Sequence, residues 1–293
     1  MHCNNKSLSN MKTQYVTSCS VSGLHQLAYN DWGDQRNPNV LICAHGLTRN
    51  KHDFDELAKK LSTKRRVISF DFPGRGESDW LSNKSCYDYP QYIVDALMII
   101  ARTGAKKIDW LGTSMGGLLG MTLASLKKSP IKQLILNDVG PFIPQAALAR
   151  IAAYVTDPPQ CSTADELENY MRSTYDGFGE LTNDQWKHLL HYGQRTLENG
   201  KLTLNYDPDI SQAFSNTPLE DIDLWPLWQQ TQQRTLVIRG EHSDLLTRST
   251  AEEMIKKRPD VDLIEISNTA HSPALMNNTD ISYLEEWLDN PPQ

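Results

Sequence analysis

Cysteine is scarce in this chain and poorly placed for crosslinking. The five residues, Cys3, Cys19, Cys43, Cys86 and Cys161, are odd in number, far apart and never in a C-x-x-C. That spacing disfavours both a disulfide framework and a zinc site, and a reducing, cytoplasmic environment is the expectation. Long apolar runs are also missing. Segment 1–16 has no apolar stretch of the kind a signal peptide carries, and nowhere do about 18 apolar residues follow one another, so neither export nor a membrane span is expected. Positive charge is in deficit: 29 Lys and Arg against 36 Asp and Glu give a net charge of −7, and a nucleic acid would have to bind against that field. No repeat or low-complexity tract is visible.

What is present is a globular composition, 39% hydrophobic and 22% charged over 293 residues, enough for one large domain with or without a smaller insertion. Short runs rich in Val, Ile and Leu at 40–44, 67–70, 107–111 and 134–136 are bounded by Gly, Pro, Asn or Asp and read as buried parallel strands. Between them, 54–61, 92–101 and 118–126 repeat apolar residues at helical spacing. Segments 15–19 and 24–29 predict an edge hairpin, and 235–238 and 262–266 two more strands, with helices at 249–257 and 281–288. The sum is an α/β fold, a wound and mostly parallel sheet of about eight strands. Between 141 and 233 strand character stops and helical segments are broken by Asp157-Pro158-Pro159, Gly177-Phe178-Gly179 and Asp207-Pro208. The expected organisation is therefore a core of 1–140 and 234–293 with a helical cap at 141–233.

One motif carries chemistry. Gly112-Thr113-Ser114-Met115-Gly116 is a G-x-S-x-G directly after a strand and directly before an apolar helix. On so tight a turn Gly112 and Gly116 give the backbone room, and the Ser114 hydroxyl is presented beside a helix N-terminus. A serine nucleophile needs a base and a carboxylate to orient it. Of eight histidines, His271 alone lies in a polar loop just after the last strand, at the sheet edge where Ser114 sits. For the acid, Asp244 follows strand 235–238 and gives the chain order Ser, Asp, His. Glu241 and Asp138 are the rivals; Asp138 reads rather as an acceptor that holds the turn into the cap. The N–H groups of Leu47 and Met115 are expected to form the oxyanion hole, with Gly46 making the bend and His45 bracing the loop. Arg49 is expected to be solvated, as are His188 and His191 on one helix of the cap.

With His45-Gly46, the stretch from Asp71 through Gly74, Gly76 and Ser78, the elbow, Gly240 to Asp244, and Ala270-His271-Ser272, the chain resembles the α/β-hydrolase superfamily in its capped esterase and lipase-like branch, over almost its whole length. The resemblance implies that Asp71 and Gly74 are scaffold. Haloalkane dehalogenases and epoxide hydrolases of this fold use Asp where Ser114 stands, and proline iminopeptidases usually carry H-G-G-P-G where this chain reads His45-Gly46-Leu47-Thr48-Arg49. The expected activity is that of a serine hydrolase cleaving a small or medium carboxylic ester through an acyl-enzyme, without metal or organic cofactor. Thioester, amide and carbon–carbon hydrolysis keep the same triad, and a ligand receptor on this scaffold is the alternative from another class. Phe142, Tyr154, Phe178 and Trp186 are the cap aromatics from which a pocket wall is expected.

Overall fold

The computed structural model describes residues 13–215 and 219–290; Cys3 and His2 lie outside them. Among the described residues the twelve strands are β1 (Gln14–Ser20), β2 (Gly23–Trp32), β3 (Val40–Ala44), β4 (Arg66–Phe70), β5 (Ile108–Thr113), β6 (Ile131–Asn137), β7 (Phe142–Ile143), β8 (Gln194–Thr196), β9 (Leu202–Leu204), β10 (Ile222–Asp223), β11 (Arg234–Gly240) and β12 (Asp262–Ile266). Among the same residues the ten α-helices are α1 (Asp55–Leu61), α2 (Tyr89–Thr103), α3 (Met115–Ser125), α4 (Gln145–Val155), α5 (Ala164–Thr174), α6 (Asn183–Gly193), α7 (Gln212–Ser215), α8 (Trp225–Gln230), α9 (Arg248–Lys257) and α10 (Asn278–Asp289).

Eight strands form one sheet in the order β1-β2-β4-β3-β5-β6-β11-β12. The β1–β2 and β2–β4 pairs are antiparallel and all later pairs parallel. The edge hairpin and the wound sheet are thus as the sequence pattern predicts. Every residue of β3 and β4 is buried, because helices cover both faces of a parallel sheet. Alternate side chains serve the two layers: Val40, Ile42 and Ala44 join the core that includes residues of α2 and α3, while Leu41 and Cys43 join Leu57 of α1 and Trp287 of α10. Local chemistry fixes the helix ends. In α2 the Asp88 side chain accepts from the Gln91 N–H, Pro90 sits in the first turn, and Gly104 closes the helix at φ 72°.

The segment between β6 and β11 carries α4 to α8, and it also contains strands where only helices were expected. β8 and β9 form a small antiparallel ladder, and β7 pairs with β10. Ladders of two or three residues are too short to leave a period of two in the sequence. The β7–β10 ladder has a clear purpose: it zips the segment's exit from the core to its return, with Ile143 opposite Ile222 and the Leu224 N–H on the Pro141 carbonyl. α8 packs on core helix α3, with Trp228 fully buried. Among the described residues no helix is long and apolar enough to cross a membrane.

Candidate active site

Ser114 occupies the turn between β5 and α3 at φ 52°, ψ −116°, a conformation that side-chain-bearing residues rarely adopt. Its neighbours make the turn possible. A Cβ on Gly112 would lie 2.2 Å from the Gly116 carbonyl oxygen, and one on Gly116 would lie 2.2 Å from the Ala44 carbonyl oxygen. The elbow is therefore packed backbone to backbone against β3, and both glycines are sterically required. Ser114 Oγ meets His271 Nε2 at 2.9 Å. His271 stands in the loop after β12, held to segment 141–233 by the Ala270 N–H on the Gly177 carbonyl and to β6 by the Asn137 side-chain amide on the Pro273 carbonyl.

The carboxylate on His271 Nδ1 is Asp138, at 2.8 Å, and not Asp244. Asp138 directly follows β6 at φ 55° and is fully buried. Its Oδ1 accepts from the Gly240 N–H at 2.8 Å and its Oδ2 from the Ser243 hydroxyl at 2.6 Å as well as from His271. Asp244 has a 48% exposed side chain that binds Arg150 through Nε at 2.6 Å and Nη2 at 2.8 Å. The reason the sequence misleads is topological. β6 and β11 are neighbours in the sheet, so the loops that follow them open at one place, and Asp138 and Asp244 both arrive beside the loop after β12. Glu241, the third candidate, accepts from the Asn268 N–H and also stands away from the ring.

A carboxylate only accepts, so its bond to Nδ1 fixes the proton there and leaves Nε2 free to accept from the Ser114 hydroxyl. On the far side of Ser114 lies the loop after β3. A Cβ on Gly46 would be 3.7 Å from Ser114 Cβ, which places this loop against the serine. Arg75, fully buried, donates from Nε to the Leu47 carbonyl at 2.8 Å and from Nη1 to the Pro73 carbonyl and the Tyr92 hydroxyl. That anchor fixes the Leu47 peptide, and among the described residues no protein group accepts from its N–H. Met115 supplies the first N–H of α3, at the positive end of the helix. Sequence reasoning missed Arg75; its only trace is an arginine between the two glycines of a tight turn.

The supporting residues are where the loop chemistry requires them. Nε2 of His45 accepts from the Phe72 N–H at 3.1 Å, so Nδ1 carries the proton and donates to the Gly46 carbonyl at 2.6 Å. Burial pushes the His45 pKa down to about 3, which keeps this brace neutral. Asp71 is fully buried and accepts from the Lys51 N–H and Nζ and from the Glu77 N–H, beneath the site. Gly76 approaches it so closely that a Cβ would lie 2.3 Å from Asp71 Oδ2.

Two solvated assignments are corrected. Arg49 is buried, bound to both oxygens of Asp53 and set over the rings of Tyr175 and Phe178, because segment 141–233 folds back over it. His188 of α6 reaches down to the His52 carbonyl at 3.1 Å and to Asp55 at 3.4 Å. Burial pulls its pKa down, but Asp55 and that carbonyl outweigh it and hold the value above the ordinary histidine range. His191 is exposed as expected.

Ser114 opens on two cavities. One, of about 420 Å³, is lined largely by apolar side chains including Leu118, Val139, Ile143, Leu148 and Phe214. The other, of about 60 Å³, holds His271, Tyr154, Tyr175, Phe178, Arg49 and Arg150. Of the four aromatic residues of segment 141–233 named above, Tyr154 and Phe178 line this smaller cavity. Trp186 instead stacks behind Phe178 with ring centroids 6.5 Å apart, and Phe142 sits in the β7–β10 ladder.

A family model of the α/β-hydrolase fold matches residues 39–277. The chain is 40% identical over 285 residues to a 3-hydroxybutyrate-oligomer hydrolase of Cupriavidus necator, covering 94% of this chain and 96% of that one. A crystal structure of a hydrolase from Rickettsia typhi, described as putative, superposes with a TM-score of 0.89 at 37% identity, over 96% of this chain and 99% of that one. An α/β hydrolase from Novosphingobium aromaticivorans superposes with a TM-score of 0.84 at 31% identity, over 96% and 99%. Fold, elbow and relatives agree: this chain belongs to the α/β-hydrolase family and is a hydrolase.

Proposed function

We propose that the chain is a serine hydrolase of carboxylic esters that works through an acyl-enzyme, with short oligomers of hydroxyacids as its substrate class. The observation that carries the reading is the unbroken relay from Ser114 Oγ through His271 to Asp138, at 2.9 and 2.8 Å. Ser114 attacks the ester carbonyl while His271 Nε2 takes its proton. Asp138 stabilises the imidazolium and keeps the ring in register. The carbonyl oxygen becomes an oxyanion that receives the Leu47 and Met115 N–H groups, fixed in advance by Arg75 and by the elbow. His271 then returns the proton to the leaving alcohol, and water repeats the sequence on the acyl-enzyme.

Residues 141–233 act as the cap in this reading: Ile143, Leu148 and Phe214 wall the apolar cavity, and Tyr154, Tyr175 and Phe178 wall the smaller one. The similarity to a 3-hydroxybutyrate-oligomer hydrolase supports an ester bond and a repeating hydroxyacid. Cys43, Cys86 and Cys161 are buried free thiols, which supports a reducing compartment such as the cytoplasm. The test is turnover of linear 3-hydroxybutyrate dimer and trimer beside p-nitrophenyl esters, a thioester and an aminoacyl anilide. Release of 3-hydroxybutyrate with a higher kcat/KM than for the thioester and anilide supports the reading. Preference for either of those overturns it.

A further inference from the structure

An oligomer of a hydroxyacid ends in a carboxylate, and a cation near the serine would recognise such an end. Two arginines line the smaller cavity beside Ser114 and His271. Arg49 is spent: its guanidinium binds both oxygens of the part-buried Asp53, and the Tyr175 and Phe178 rings flank it. Arg150, on α4 of the cap, is held differently. Its partner is Asp244 at the rim, and the two side chains are 42% and 48% exposed. The pair is bidentate, so the guanidinium already presents the fork a carboxylate fits.

We propose that Arg150 is the receptor for a substrate carboxylate and that Asp244 holds its place until substrate arrives. The ligand class is a short hydroxyacid ester with a free carboxylate a few bonds from the scissile carbonyl, and the assignment rests on the ester-hydrolase reading above. Exchange is chemically easy. Exposed ion pairs contribute little to stability, so Asp244 returns to water at small cost, while the incoming carboxylate brings an apolar remainder to bury. The field at this point already favours an anion: burial raises the pKa of the Asp244 carboxyl, but the Arg150 bond and charge, aided by the nearby His271, outweigh it and hold the group below its ordinary range. The same geometry explains why an acid conspicuous after β11 leaves the histidine to Asp138.

The test uses the full chain in a Ser114→Ala background, which cannot turn over, with calorimetric Kd values for linear 3-hydroxybutyrate dimer as the free acid and as its methyl ester. Arg150→Gln is expected to weaken the acid by roughly 10- to 100-fold relative to the methyl ester, the worth of a charge-assisted bidentate contact. Asp244→Asn is expected to tighten the acid. An unchanged acid-to-ester ratio in Arg150→Gln overturns the carboxylate site, and weaker acid binding in Asp244→Asn overturns the place-holding role. Turnover by the enzyme with Ser114 intact separates the two proposals. If the acid binds through Arg150 and neither dimer is cleaved, the ester-hydrolase reading fails and the carboxylate site stands.

Discussion

Replacing Asp138 by Asn tests the relay at its most informative point. The fully buried carboxylate accepts three hydrogen bonds, from the Gly240 N–H, the Ser243 hydroxyl and His271 Nδ1. An amide of the same shape keeps its oxygen on Gly240 and turns its NH2 toward the ring. That NH2 donates, so Nδ1 must accept, and the imidazole proton moves to Nε2, where it faces Ser114 with nothing to take. The wrong tautomer costs roughly 10⁴-fold in kcat in a triad of this kind, about 5.4 kcal/mol of transition-state stabilisation at 1.36 kcal/mol per decade. The loss of one buried charged acceptor also costs roughly 1–3 kcal/mol of stability, so Tm is recorded beside turnover of p-nitrophenyl butyrate. In the same assay Asp244→Asn breaks only a rim ion pair and changes kcat by no more than a few fold. The reasoning is refuted if Asp138→Asn stays within tenfold of wild type while Asp244→Asn loses about a thousandfold.

Gly116→Ala places a methyl 2.2 Å from the Ala44 carbonyl oxygen, and the strain, at least about 1–3 kcal/mol, should lower Tm by several degrees and displace Ser114; a variant with wild-type Tm and activity contradicts the packing of the elbow. Buried His45, with a folded pKa of about 3, binds fewer protons than in the unfolded chain between that value and the ordinary histidine pKa of about 6.5. Stability from this group is full above about 6.5 and is lost as pH falls toward 3, with a slope of at most about 1.4 kcal/mol per pH unit; His45→Gln should reduce that acid-side slope in urea titrations, and an identical slope contradicts the neutral brace. Leu148→Trp narrows the apolar cavity and should lower the kcat/KM ratio of p-nitrophenyl octanoate to acetate by roughly tenfold, whereas an unchanged ratio moves the acyl chain elsewhere.

Sheet and elbow were readable because their physics is local. An uninterrupted apolar run at β3 and a run rich in Val, Ile and Phe at β4 announce burial on both faces, and a serine between two glycines at the end of β5 announces a turn no bulkier sequence could make. His271 was readable by position, in the loop after the last strand. The acid was not, because Asp138 and Asp244 each follow a strand of the same sheet and only the lateral neighbours of those strands decide which one meets the ring. Arg49 and His188 were misread for a related reason: their partners Tyr175 and His52 lie across the contact between segment 141–233 and the rest of the chain, more than a hundred positions away. The small ladders within 141–233 leave no periodic trace at all.

The claim on which the mechanism turns is that Ser114 is the nucleophile. A fluorophosphonate reacts with an activated serine and stays attached, so intact mass and peptide mapping of the labelled full chain read the site directly. One adduct is expected, on Ser114, formed at wild-type rate in Asp244→Asn, strongly slowed in Asp138→Asn and absent from Ser114→Ala. An adduct that persists in folded Ser114→Ala, or that maps to another serine in the wild type, contradicts it.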